Sequence, residues 1–280
     1  HLDFGTLLLG STRLSDYDNA FPFKDGSMNQ SSGLLFARGQ KNISITGFGT
    51  IDGQGGNKTF QFGNDADGGP KRPKIIYFVE CKGIVVTDVT LRNSAYWVQH
   101  YEKCEDVTIR GLKVFSHCNY NNDGLDIDAK NATISDCYID VEDDAICFKS
   151  DHPEFCENIT VTNCVTASNC NAIKFGTASH GGYRNIAVSN CVVRRAAEDN
   201  IRHWSKQLEH ISADVTVISG VAIEMVDGGI IDGITVSNIS MRDVQTPIFI
   251  RLGDRHRTYR KEGGVLKNIN ISNIVATCLL

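Results

Sequence analysis

Apolar and polar residues alternate one by one in six short segments of this chain, and the six share one phrase. Lys41–Thr46 reads Lys-Asn-Ile-Ser-Ile-Thr, and Glu157–Cys164 reads Glu-Asn-Ile-Thr-Val-Thr-Asn-Cys. Arg184–Cys191, Asp232–Ile239, Lys267–Ile274 and, more weakly, Lys130–Cys137 follow the same pattern. A period of two is the signature of a half-buried strand, and the Val, Ile and Thr that fill it suit a pleated surface. The third residue of the phrase serves as a marker. Ile84, Val107, Ala132, Ile159 and Ile186 follow one another at 23, 25, 27 and 27 residues. The next interval, Ile186 to Ile234, is 48 residues, as two coils with one eroded marker would give.

A second strand signal precedes the next marker by 7 to 13 residues. It comprises Leu125-Asp126-Ile127, Ile146-Cys147-Phe148, Ile173-Lys174-Phe175 and Ile223-Glu224-Met225. No stretch keeps a helical period beyond two turns. Short strands recurring every 23–27 residues, with Gly, Asn and Asp at the corners, predict an all-β parallel β-helix. A propeller would need about 40 or more residues per blade. The solenoid is expected to run as one domain over 1–280. His1 and Leu280 carry no cap for its ends, so the chain reads as a piece of a longer protein.

The formal charge of −5 is spread over interspersed acids and bases, which does not suggest a nucleic-acid partner. The chain has no run of 18 apolar residues, so no membrane-spanning helix is expected. Ten cysteines lack any Cys-x-x-Cys pair, which argues against zinc. Cys137, Cys164 and Cys191 occupy one slot of successive repeats and are expected as stacked free thiols, small hydrophobes in effect. Cys118 is left as a candidate for a bridge to a neighbour. Seven Asn-x-Ser/Thr sequons fall mostly within the repeat phrase, among them Asn42, Asn158, Asn238 and Asn270. An asparagine stack at a corner explains them better than glycosylation does.

Equivalent slots of a solenoid lie about one strand spacing apart, roughly 4.8 Å, so like charges stacked there repel. Two residues before Leu125, Ile146 and Ile173 stand Asp123, Asp144 and Asn171, with Asp143 beside Asp144. The alternatives are a pair of solvated acidic turns and a site for glycoside hydrolysis. Hydrolysis needs one carboxyl to protonate the leaving oxygen and another to activate water. Crowding raises the pKa of at least one member, as an acid requires.

At these residues the chain resembles glycoside hydrolase family 28, the polygalacturonase and rhamnogalacturonan hydrolase group. Asn121-Asn122-Asp123-Gly124-Leu125-Asp126 is similar to the family's Asn-Thr-Asp-Gly-x-Asp, and Asp143-Asp144 followed by Lys149-Ser150 to its Asp-Asp motif. Asn93-Ser94-Ala95-Tyr96-Trp97, the run from Gly49 to Gly55, and Gly10-Ser11 add to the resemblance. It implies a right-handed β-helix, an inverting mechanism, and neither cofactor nor metal. Asp143 would be the general acid, with Asp123 and Asp144 holding and deprotonating the water. Asn121, Asp126, Asn171 and Glu224 would line the substrate. A monomer acting on pectic polysaccharide, secreted or periplasmic, is the expectation.

Two family signatures differ. Asn171 stands where the family has a histidine, and His180 follows nine positions later, either a substitute or a turn residue. Ala222 and Glu224 stand where an arginine and a lysine grip the uronate carboxylate on the leaving-group side. A glutamate there repels a carboxylate, so a neutral sugar such as rhamnose is expected at that position. Lys149, Lys174 and Arg251 are candidate partners for a galacturonate elsewhere. Trp97 and Tyr183 are candidate sugar-stacking faces, packing being the alternative for Trp97. The competing functions are polygalacturonase proper, a pectate-lyase-like enzyme using calcium and an arginine base, and a non-catalytic carbohydrate-binding β-helix.

Overall fold

The computed structural model describes residues 1–17, 21–22, 28–29, 31–60, 72–197, 200, 217–255 and 263–278. Among the described residues twenty strands form one continuous sheet wound into a right-handed parallel β-helix, and an antiparallel pair of two-residue strands, Phe21–Pro22 and Met28–Asn29, lies outside it. The marker residues pair as their spacing predicts. One column runs Ile43, Ile84, Val107, Ala132, Ile159, Ile186, Ile234, Ile269. A second, two residues on, runs Ile45, Val86, Ile109, Ile134, Val161, Val188, Val236, Ile271. Nearly all these side chains are buried in a single hydrophobic cluster that spans the coils. Each contributes about 1.5–3 kcal/mol of burial, but only because a neighbouring coil covers it.

The long marker interval has a different cause from an eroded repeat. Ile186 pairs directly with Ile234, so the 48-residue step is one coil with additional residues between Arg194 and Ser219. Similarly, Val221 and not Ile223 sits opposite Ile173, while Ile223 sits opposite Phe175. The pattern Ile-x-Met had set the strand two residues out of register.

The corners explain most of the repeat asparagines, whereas Asn270 lies within a strand opposite Thr235. Asn42, Asp106, Asn131, Asn158, Asn185 and Asn268 occupy one corner column, each at φ between 53° and 58°. Gly83 and Gly233 fill the same column at φ 72° and 82°. Glycine, and at small cost Asn or Asp, adopts this left-handed conformation most readily. The amides also form a ladder: Asn185 donates to Asn158 (2.8 Å), Asn158 to Asn131 (3.1 Å), and Asn131 to Asp106 (3.1 Å). All ten cysteines are free. Cys137, Cys164 and Cys191 are buried, each thiol donating to the carbonyl two residues earlier. Cys118 makes no bridge; its thiol donates to Ser94 O.

The corner column carries a stability prediction. Asn158→Ala should lose about 1–2 kcal/mol, from left-handed strain and two lost amide bonds. Asn158→Gly, which removes only the bonds, should lose less. Urea unfolding midpoints measure both; equal losses would remove backbone strain from the explanation.

Candidate active site

One face of the helix carries an outward row of side chains on parallel strands. His100, Asp126, Cys147, Lys174 and Ala222 are successive neighbours in it. The turns entering these strands deliver the acidic residues. Asp123 precedes the strand Leu125–Ser135, and Asp143 and Asp144 precede Ile146–Ser150. The turns are stacked by backbone bonds: Gly124 N donates to Asp144 O (2.8 Å) and Ala145 N to Asn171 O (2.9 Å). A side chain at 124 would meet Ala145 O at 2.7 Å and the Ile139 side chain at 2.5 Å, so only glycine permits this approach.

Asn122 pins the first turn from inside. It is fully buried, donating to Ser94 O (2.9 Å) and Tyr96 O (3.0 Å) and accepting from Ser116 Oγ (2.8 Å). Asn121 faces the other way, its amide 3.5 Å from Asp143 Oδ2. Arg72 holds Asn121 Oδ1 at 3.1 Å and lies over the Tyr96 and Tyr120 rings. Asn122 and Arg72 are parts of this site that sequence reasoning did not single out. Asn122 was readable only as one letter of a motif, and Arg72 comes from two coils earlier in the chain.

The carboxylates sit close together in different environments. An oxygen of Asp123, one of Asp144 and Cys147 Sγ lie within 4.8 Å of one another, as do groups of Asp143, Asp144 and Cys170. Asp123 and Asp144 are buried and Asp143 is half-buried. Burial drives the Asp123 carboxyl well above its ordinary pKa, and the charges of Asp126 and Asp143 add to the rise. Asp126, buried between its neighbours, rises to about 7. Asp144 moves the other way. Burial opposes its charge, but Lys174, Lys149 and Asn171 outweigh burial and hold it below the ordinary value.

Lys149 and Lys174 are therefore already engaged. Lys174 Nζ lies 2.9 Å from Asp144 and 3.6 Å from Glu224, and Asn171 Nδ2 donates to Asp144 Oδ1 at 2.7 Å. Lys149 lies 3.5 Å from Asp123 and 3.2 Å from Asp126. Interleaved cations make a stack of acids tolerable on adjacent rungs, which sequence spacing alone could not reveal.

The remaining candidates divide. Glu224 borders the site through Lys174, whereas Arg251 is exposed, one rung further on opposite Glu224. His180 sits just beyond the far end of the strand from Asn171, its Nδ1 3.1 Å from Asp151 O. Tyr183 is fully buried, its hydroxyl donating to Phe148 O and Ala178 O, and so offers no face to a sugar. Trp97 is half-buried, stacked on Tyr96 and 4.4 Å from Lys149 Nζ, at the edge of the groove.

The fold is a parallel β-helix with stacked acidic turns on one face. Residues 20–278 match the family described as "Glycosyl hydrolases family 28", and the chain belongs to that family. It is 32% identical over 138 residues to a probable polygalacturonase of Vitis vinifera, a match covering 47% of this chain and 27% of that protein. Among solved structures it resembles a family 28 exopolygalacturonase of Yersinia enterocolitica, with a TM-score of 0.75 at 18% identity. That match covers 99% of this chain and 56% of the other. The polygalacturonase of Erwinia carotovora aligns with a TM-score of 0.73 at 20% identity, covering 99% of this chain and 80% of that one. The match spans about a quarter of the grapevine relative's length, and the structural likenesses concern the fold.

The opposite shifts of Asp123 and Asp144 give a signed pH prediction. Asp123 binds its proton more tightly folded than unfolded, so its ionisation costs stability above the unfolded carboxylate range near pH 4. Asp123→Asn should therefore be at least as stable as the parent at pH 7, and lose that advantage as pH falls toward 4. Asp144 works in reverse: it contributes stability above pH 4 that disappears as pH falls through its depressed pKa. Thermal melts of parent, Asp123→Asn and Asp144→Asn across pH 3–8 read both; a pH-independent difference would remove the linkage.

Proposed function

We propose that this chain hydrolyses a galacturonosyl bond of pectic polysaccharide with inversion, using Asp143 as general acid and Asp144, with Asp123, as the water-activating pair. The observation that carries the reading is the split between neighbouring carboxyls: Lys174, Lys149 and Asn171 favour the ionised form of Asp144, while burial and the acids around it favour the protonated form of Asp123. Opposed environments fit adjacent carboxyls for different parts in handling the water. Asp144 takes the proton from water, and Asp123 orients that water by hydrogen bonding. Asp143 is the more exposed of the three, held from one side by Asn121, and gives its proton to the leaving oxygen. Inversion requires about 6.5–9.5 Å between acid and base carboxyls in the complex, leaving room for water.

The substrate reading rests on the leaving-group side. Ala222 offers no charge there, and Glu224 faces Lys174 at 3.6 Å, so the surface presents a carboxylate and a neutralised ammonium. A neutral sugar such as rhamnose fits that environment and a uronate does not. Pectic polysaccharide lies outside cells, so the expected place of action is secreted or periplasmic.

Asp143→Asn should lower kcat by about 10²- to 10⁴-fold without loss of the fold. Proton NMR should find the first-formed product anomer opposite to the substrate's. Mass spectrometry should find cleavage of rhamnogalacturonan oligosaccharides in preference to homogalacturonan ones. Rapid release of galacturonate from homogalacturonan would sink the neutral-sugar assignment, and calcium-dependent unsaturated products would point to a lyase. Lys174→Met should raise the Asp144 pKa and move the acid limb of the kcat/KM profile to higher pH, while Lys174→Arg should leave it near its place.

A further inference from the structure

On the side of the carboxylates away from Glu224, Lys74 enters the same face at the start of the strand Lys74–Val79. Its side chain is almost sealed, at 2% exposure. The ammonium donates to His100 Nδ1 at 3.0 Å, and His100 is the rung neighbour of Asp126. Aromatic faces surround the nitrogen: Tyr77 at 4.0 Å, Trp97 at 4.8 Å and Tyr96 at 6.0 Å. Tyr96 and Trp97 are half-buried and form the more exposed part of this wall.

Lys74 differs from the other two lysines of the groove. Lys149 and Lys174 each sit between two carboxylates. Among the described residues no carboxylate lies within 4.0 Å of Lys74. The nearby acids are Glu102, Asp126 and Asp151, with Lys149 and His152 as the other neighbours of the Lys74–His100 pair. Glu102 is already occupied by the Tyr77 hydroxyl and by His152 Nε2 at 2.7 Å. Asp126 is already paired with Lys149 at 3.2 Å. With Nδ1 accepting from Lys74, the proton of the neutral His100 ring sits on Nε2, a buried donor that lacks a partner.

Burying an ammonium without a counter-charge is costly, and ring faces recover only part of that cost. Burial lowers the Lys74 pKa to about 8, against the pull of Glu102, Asp126 and Asp151. An arriving anion would restore the ordinary preference for the charged form. We propose that Lys74 and His100, walled by Trp97, form a subsite for the carboxylate of a uronic acid residue in the glycan, on the side of the scissile bond opposite Glu224. The proposal rests on the pectic-hydrolase reading and adds where the acidic sugar is gripped. A pyranose packs its apolar face on the indole while its carboxylate takes the spare protons of Lys74.

Calorimetric titration tests the subsite without turnover. In an Asp143→Asn background, a galacturonate-containing rhamnogalacturonan oligosaccharide is compared with its carboxyl-reduced counterpart. Reduction should weaken binding by about 10- to 100-fold, the range of a charge-assisted bond. With Lys74→Met added the two ligands should bind alike, and Lys74→Arg should restore part of the difference. In the active chain the same substitution should raise KM more than it lowers kcat. Equal binding of both ligands by the parent, or undiminished discrimination by Lys74→Met, would overturn the proposal. Should Lys74→Met fail to fold, the Lys74 Nζ NMR signal of the unmutated chain decides: it should move with the acidic ligand and not with the reduced one. Discrimination without any hydrolysis by the native chain would defeat the hydrolase reading and leave the subsite. Hydrolysis with no effect at Lys74 would do the reverse.

Discussion

In-register stacking of parallel coils is the constraint on which the rest of this molecule depends. A single coil buries almost nothing; its inward isoleucines and valines leave water only against the same positions of the coils above and below. The stacking therefore imposes likeness along each column. It repeats aliphatic residues inward, thiols at one slot, and left-handed asparagines at one corner, where each amide satisfies the next.

The same constraint creates the problem that the groove solves. Stacking places Asp123 and Asp144 on adjacent rungs, where like charges a few ångströms apart cannot both ionise cheaply. Lys149 and Lys174, projecting from the strands that follow, divide the acids into unequal environments. Lys174 with Asn171 favours the carboxylate form of Asp144, whereas burial among neighbouring acids favours the protonated form of Asp123. Glu224 belongs to this arrangement because it supplies the second carboxylate for Lys174. The replacement of a cationic grip by Ala222 and Glu224 is thus coupled to Lys174: the ammonium balances two acids within the protein and is not free for a substrate.

Much of this was legible in the sequence because a solenoid turns spacing into position. The marker columns from Ile84 to Ile186, the corner asparagines and the stacking of Asp123, Asp144 and Asn171 all follow from counting residues. Counting failed where a coil departs from the mean length. The 48 residues between Ile186 and Ile234 read as two coils, and a spacing cannot distinguish a missing marker from extra residues added to one coil. It failed again at Tyr183, since a tyrosine beside a corner glycine carries no local sign of whether its ring turns inward.

The sequence by itself determined the class of fold, the rung of each acidic residue and the family to which those motifs belong, because all three depend on order and period along the chain. Tertiary structure alone decided which cations meet which acids. Lys174 between Asp144 and Glu224, Lys149 between Asp123 and Asp126, Arg72 behind Asn121 and Lys74 against His100 are contacts between coils. They are set by side-chain direction across a gap of about one strand spacing, and alternation along a strand tells only which face a residue takes, not which neighbour its charge will find.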